Sequence, residues 1–279
     1  MQIIQSPIEM SRLAQQWHSQ GQRIAFVPTM GNLHAGHLAL VQQAKTQADR
    51  VVVSIFVNPL QFGKNEDFSV YPRTPEEDTA ALQAQDVEVL FMPSVQAMYP
   101  RKQESMTFVE VPGLSQIFCG ASRPGHFRGV ATVVNKLFNI VQPDVAVFGE
   151  KDFQQLLVIR RMVEDLALAV QIVGVETLRE PDGLAMSSRN RYLDASARAK
   201  APALYQQLQN LAIQLSEGEH DFTGLENTAH AELIKAGFDV DYVRIVSNSD
   251  LSEPQDSQHW VILAAVWLAG TRLIDNIKV

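Results

Sequence analysis

The run Val51-Val52-Val53-Ser54-Ile55-Phe56-Val57 is almost continuously apolar and rich in β-branched side chains. A strand with one wet face alternates in polarity. This run does not, so both of its faces must be covered. A parallel sheet with helices on either side meets that demand. Asn58-Pro59 ends the run, since proline lacks the N–H that a ladder needs. Similar short apolar segments recur at Arg23–Val27, Val87–Phe91, Val145–Phe148 and Ala169–Thr177, with helix-patterned stretches between them. Strands that alternate with helices predict a doubly wound α/β domain with right-handed crossovers.

The helices carry their own punctuation. Ser6-Pro7 starts one, with Ser6 as N-cap and Pro7 in the first position, and Gly21 ends it. Others are expected at about 36–48, 75–85 (opened by Pro75-Glu76-Glu77-Asp78), 129–141 and 153–167. Residues 61–75, beginning Gln61-Phe62-Gly63-Lys64-Asn65-Glu66-Asp67, read as a long polar surface loop. Met106-Thr107-Phe108-Val109-Glu110-Val111 alternates like a strand. Beyond residue 177 the order changes to helices at 195–216 and 223–236. Three strand-like runs follow, near Val240–Val246, His259–Leu268 and Thr271–Asn276, and they read as an antiparallel meander. The expected fold is therefore α/β: a doubly wound, parallel-sheet (Rossmann-like) N-terminal domain over 1–177. A smaller α+β C-terminal domain occupies 178–279 and closes over a ligand.

Composition narrows the function. A net charge of -8 and a pI of about 5.4 argue against a broad nucleic-acid footprint. The single cysteine, Cys119, forms no internal disulfide and reads as a packing residue. The opening residues lack a basic region followed by an apolar one, and no window holds 18 uninterrupted apolar residues. The expected setting is the cytoplasm, away from membranes.

The chemistry gathers at strand-to-helix turns, where doubly wound sheets bind ligands. Val27-Pro28-Thr29-Met30-Gly31-Asn32-Leu33-His34-Ala35-Gly36-His37 joins a strand to a helix through a Gly turn. Free N–H groups and a helix dipole make such a junction a seat for an anion such as a triphosphate. One histidine there reads as a cap or a wet-crevice residue. The pair H-x-G-H favours nucleotide binding over zinc, because no third ligand is evident. Gly149-Glu150-Lys151-Asp152 forms a second such turn. Lys151 could neutralise a phosphate and Asp152 could bind a ribose hydroxyl or Mg²⁺, or the two are a capping acid beside a solvated lysine. Met186-Ser187-Ser188-Arg189-Asn190-Arg191 is a phosphate clamp or, equally, a basic loop ahead of the helix cap Asp194. The turn Glu180-Pro181-Asp182-Gly183 before it is expected to leave it mobile. Gln61 and Gln155 suit a small carboxylate or hydroxyl. Arg123, His126 and Arg128 read first as local basic surface and second as a carboxylate contact.

An H-x-G-H pair followed by a Met-Ser-x-Arg loop resembles the class I aminoacyl-tRNA synthetase and nucleotidylyltransferase superfamily. Together with Phe56-Val57-Asn58-Pro59-Leu60-Gln61-Phe62 and Gly149-Glu150-Lys151-Asp152-Phe153-Gln154-Gln155, these motifs resemble the pantoate–β-alanine ligase (pantothenate synthetase) family over essentially the whole chain. The resemblance implies ATP- and Mg²⁺-dependent condensation of (R)-pantoate with β-alanine through pantoyl adenylate, releasing pyrophosphate and AMP. It implies that Met30, Gly31, Asn32, Leu33, His34, Ala35, Gly36 and His37 line the ATP site, with His37 as a general acid. Gly149, Glu150, Lys151 and Asp152 are implied ATP contacts, as are Leu178 (through its backbone), Met186, Ser187, Ser188 and Arg189. Of these, His34, His37, Lys151, Ser187, Ser188 and Arg189 are implied to assist catalysis. Gln61 is implied to touch both pantoate and β-alanine, and Gln155 pantoate. No metal ligand is assigned. A homodimer is implied, with no nucleic-acid or membrane partner. Ala35 stands where many members carry an acid, and Phe153 where many carry tyrosine. The rival readings are another nucleotidyl transferase of the superfamily and a non-catalytic nucleotide- or tRNA-binding module.

Overall fold

The computed structural model describes residues 1–64, 66–255 and 259–279; Asn65, part of the expected long loop, lies outside them. Two compact units emerge, Met1–Glu150 with Val158–Glu176, and Lys151–Leu157 with Thr177–Val279.

In the first unit the chain runs β1 (Gln2–Ile4), α1 (Pro7–Ser19), β2 (Ile24–Thr29), α2 (Ala35–Lys45), β3 (Arg50–Ile55), α3 (Pro75–Gln83) and β4 (Val89–Phe91). It continues through the short α4 (Val95–Met98) and α5 (Cys119–Ser122), then α6 (His126–Val141), β5 (Val145–Gly149), α7 (Phe153–Asp165, whose start up to Leu157 groups with the second unit) and β6 (Gln171–Val175). The six strands form one sheet in the order β1-β4-β3-β2-β5-β6. Every recorded pairing in it is parallel. Central residues Ile24 to Val27, Val52, Val53 and Val145 to Val147 are completely buried, as their unbroken apolar runs require. Ala25, Val27, Val51, Val53, Val145 and Val147 pack against Leu40, Val41 and Ala44 of α2. Ser6 caps α1 by accepting from the Glu9 N–H, with Pro7 in the first turn.

In the second unit α8 (Ala195–Lys200), α9 (Ala203–Ser216) and α10 (Phe222–Lys235) precede β7 (Asp239–Ser247), β8 (Trp260–Leu268) and β9 (Thr271–Lys278). The strands pair antiparallel in the order β7-β8-β9. Their core is built from Leu204, Leu208, Leu211, Leu225 and Leu233 against Ile245, Ile262, Ala264 and Val266.

Several expectations change. Residues 106–111 form no strand: the Val109 N–H bonds to Thr132 Oγ1 of α6, so the segment lies on a helix rather than in a sheet. The expected helix 195–216 is two helices, because Pro202 has no N–H to donate and the chain restarts at Ala203. The pattern gave no sign of β1, whose three residues pair with Val89, Leu90 and Phe91. A 3-10 turn at Glu150–Asp152 precedes α7. Other ends shift by a few residues.

One close approach ties the fold to the site. A Cβ on Gly129 of α6 would lie 2.2 Å from the Leu60 carbonyl oxygen. The backbone cannot yield there as a flexible side chain would, so Gly129→Ala is expected to destabilise by about 1–3 kcal/mol. Urea unfolding measures this, and an unchanged midpoint would refute the close approach.

Candidate active site

Because the sheet is parallel, the turns after β2, β3 and β5 leave the same edge. After β2 the chain turns through Gly31 (φ +82°) and Asn32 (φ +51°). A side chain at position 31 would be strained by φ and would lie 2.9 Å from Ile55 Cγ2 and 3.0 Å from Asp78 Oδ2. The turn is held from α3. The Asn32 N–H donates to Asp78 Oδ2 at 2.8 Å and the Leu33 N–H to Asp78 Oδ1 at 2.7 Å. Thr74 Oγ1 adds a third donor to Asp78, which is only 2% exposed. Thr29 Oγ1 accepts from the Gly31 N–H and donates to the Ser54 carbonyl, linking the turn to β3.

His34 is the N-cap of α2, and the two imidazoles share the cap. The Gly36 N–H donates to His34 Nδ1 at 3.2 Å, and the His34 N–H donates to His37 Nδ1 at 3.3 Å. Their ring centroids lie 4.1 Å apart. An Nδ1 that accepts carries no proton, so each ring carries its proton on Nε2. Both are thereby Nε2–H donors at the start of a helix, where the dipole favours negative charge.

After β3, Asn58 fixes Gln61. Asn58 is 1% exposed; its Nδ2 donates to the Gln61 Oε1 at 3.0 Å and to the Gly129 carbonyl at 3.1 Å. Its Oδ1 accepts from Tyr99 Oη and the Leu60 N–H. The carbonyl and the N–H allow only this amide orientation. Gln61 must therefore receive with Oε1 and present its NH₂, which lies 3.0 Å from Met30 Sδ. Burial pushes the Tyr99 phenol above its ordinary value, so it stays a donor. Gln61 is held at its backbone too. Its carbonyl accepts from His126 Nδ1 at 2.8 Å and Arg123 Nη2 at 3.3 Å. Arg123 grips Glu66 with Nε and Nη2, at 2.7 and 2.5 Å. Arg123 and His126 therefore brace the loop instead of forming an open basic surface; Arg128 stacks over Phe108. The expected long loop is also drawn in by Phe62, whose ring meets Phe68 and Tyr71.

The second unit holds most of the remaining candidates. Leu178 and Met186 lie on the two arms of a small hairpin: the Met186 N–H bonds to the Leu178 carbonyl, and Arg179 bridges Ala185. Its turn is pinned by Arg179 Nη1 on the Gly183 carbonyl and by Asp182 on Arg198 at 2.5 Å, where a mobile segment was expected. Ser187 Oγ accepts from the Arg189 N–H and caps a 3-10 turn over Ser188–Tyr192. Lys151 Nζ lies 3.8 Å from Asp152 Oδ2. Gln155 sits half-buried in α7. Asp275 accepts both Arg179 Nη1 (2.7 Å) and Nη2 (3.0 Å). Burial pushes its carboxyl above the ordinary value, against the Arg179 pairing. Gly149 and Glu150 belong to the first unit and directly precede Lys151 in the chain.

Sequence reasoning missed Asp78 and Asn58 as holders of the site. Asp78 was masked by its place in a helix's acidic first turn, where acids are common. Three carboxylates opening α3 gave no hint that only the third is buried.

The family model described as pantoate-beta-alanine ligase matches residues 2–278. The chain is 57% identical over 270 residues to the pantothenate synthetase of Shewanella amazonensis, covering 96% of each. It superposes on the crystal structure of pantothenate synthetase from Thermus thermophilus with a TM-score of 0.92 and 44% identity, over 99% of both chains. A pantoate-beta-alanine ligase from Francisella tularensis, complexed with beta-gamma ATP and beta-alanine, matches with a TM-score of 0.82 and 34% identity, over 99% of this chain and 97% of that one.

The Glu66 brace makes a pH-dependent prediction. Burial alone raises the Glu66 carboxyl, but the Arg123 hydrogen bond and charge bring it below 4.5. A lowered folded value means the stabilisation is present above 4.5 and is lost as pH falls through the folded value. Wild type should exceed Glu66→Gln by on the order of 2 kcal/mol at neutral pH. The gap should close on acidification below 4.5. Paired urea titrations check this, and a gap that does not change with pH would contradict it.

Proposed function

The chain belongs to the pantoate-beta-alanine ligase family and joins pantoate to β-alanine with ATP; we propose that it does so through a pantoyl adenylate built at the β2–α2 turn. The observation that carries this reading is the pair of Nε2–H donors, His34 and His37, at the head of α2, together with a Gln61 amide locked as a donor against Met30 of the same turn.

The chemistry asks for such a site. A carboxylate is a poor electrophile, so one pantoate oxygen first attacks the α-phosphorus of ATP and pyrophosphate leaves. The amine of β-alanine then attacks the acyl carbon, and AMP departs with that oxygen. The first step crowds negative charge around the α-phosphate, and positioned donors stabilise it without a covalent nucleophile. His34 and His37 supply Nε2–H donors, with His37 as the acid on the phosphate side. The positive dipole end of α2 adds to them. Gln61 presents its NH₂ to the pantoate carboxylate and later to β-alanine, and Gln155 takes a pantoate hydroxyl. Lys151, Ser187, Ser188 and Arg189 offset phosphate charge, Asp152 meets ATP beside Lys151, and the Leu178 backbone meets the adenine.

Mg²⁺ belongs to this reading as the companion of ATP. Among the described residues no three His, Cys, Asp or Glu side chains gather to hold a metal. Mg²⁺ is commonly bound by one or two carboxylates with substrate phosphates and water, and Asp152 is the carboxylate proposed beside ATP. A homodimer, which rests on the family resemblance, and a cytoplasmic setting complete the reading. No helix among the described residues is long and apolar enough to cross a membrane. Residues 178–279 are proposed to close over ATP and exclude the water that would hydrolyse the adenylate. X-ray scattering should show compaction on adding ATP and pantoate together, and an unchanged radius of gyration would remove closure from the account.

His37→Ala should slow single-turnover pyrophosphate release by a factor on the order of 10² or more, as loss of one charge-stabilising donor does. Gln61→Ala should instead weaken pantoate binding and leave ATP binding intact. Pyrophosphate release at the wild-type rate in His37→Ala would sink the assignment of His37. Equal loss of both ligands in Gln61→Ala would sink that of Gln61.

A further inference from the structure

We propose that Asn276, on strand β9, is a positioning residue that sets Lys151 for phosphate, with the Arg179–Asp275 pair as its mount. The inference rests on the reading of Lys151 as a phosphate-facing cation.

Lys151 follows β5 by two residues, yet the segment Lys151–Leu157 groups with Thr177–Val279. A bond that reaches 125 residues along the chain helps explain why. Asn276 Nδ2 donates to the Lys151 carbonyl at 2.9 Å, and Asn276 is 6% exposed. The lysine's backbone is therefore held by a buried side chain near the C-terminus.

Asn276 is itself fixed. Its N–H donates to Asp275 Oδ1 at 2.8 Å, and its carbonyl accepts from Arg179 Nη2 at 3.2 Å. Asp275 takes the Arg179 guanidinium through two oxygens, and that guanidinium lies 3.4 Å from the Tyr205 ring centroid. Arg179 also lies on the hairpin that carries Leu178 and leads to Ser187. One dipeptide of β9 thus grips Lys151 with Asn276 and the hairpin with Asp275. The carbonyl bond anchors the Cα from which the lysine side chain springs. Its loss lets the ammonium drift, and a misplacement of about 1 Å can cost on the order of a hundredfold in rate.

A double-mutant cycle tests this with the full chain, ATP and pantoate, reading single-turnover pyrophosphate release. Asn276→Ala and Asn276→Leu both remove the donor, and leucine keeps the bulk, so a packing defect separates from a lost bond. Both should slow release about tenfold with the pantoate KM unchanged. In a Lys151→Ala background, Asn276→Ala should have no further effect, because the group it positions is gone. The same fold-loss with and without Lys151 would overturn the proposal, as would wild-type release by Asn276→Leu. Wild-type release by Lys151→Ala alone would overturn the underlying reading of Lys151, and with it this inference; that result is read from the single variant.

Discussion

The first unit depends on one buried carboxylate. Asp78 reaches from α3 to take the N–H groups of Asn32 and Leu33, and so sets the path of the chain between β2 and α2. A turn with Gly31 and Asn32 both at positive φ is not a low-energy default for the backbone. An acceptor for two adjacent N–H groups holds it there, and it also satisfies groups that burial would otherwise leave costly. With the turn fixed, His34 falls at the N-cap of α2 and His37 one turn later. Their shared cap then decides which nitrogen of each ring carries the proton. A distant buried acid thereby determines what two imidazoles offer a ligand.

The same logic holds Gln61. A primary amide presents either end, and only its neighbours decide which. Asn58 is itself committed by the Gly129 carbonyl and the Leu60 N–H, so Gln61 is left to donate. The absence of a side chain at Gly129 lets α6 come close enough for this. Fold and site are one problem here: the contact that packs α6 against the 3-10 turn at Pro59–Gln61 also sets the direction of a hydrogen bond.

The sheet was legible because unbroken apolar runs such as Val51–Val53 admit few environments, and the antiparallel meander because its strands are long. The turn after β2 was legible through its glycines and histidines. What escaped depends on partners far away in sequence. Asp78 looks like any acid in a helix's first turn until Asn32 and Leu33 are seen beside it. Asn276 looks like a strand residue until Lys151 is. Residues 106–111 alternate as a strand does, but α6 claimed the Val109 N–H. Pro202 stands in plain view, and its missing N–H divides 195–216 into two helices despite the apolar periodicity on either side.

The central claim is that the acid is activated by its own oxygen attacking ATP at the α-phosphorus. Pantoate labelled with ¹⁸O in its carboxylate tests it directly, with the AMP and phosphates analysed by mass after one turnover with β-alanine. The account predicts one ¹⁸O atom in AMP, the bridging oxygen of the adenylate. Label in inorganic phosphate, or in neither product, would contradict it.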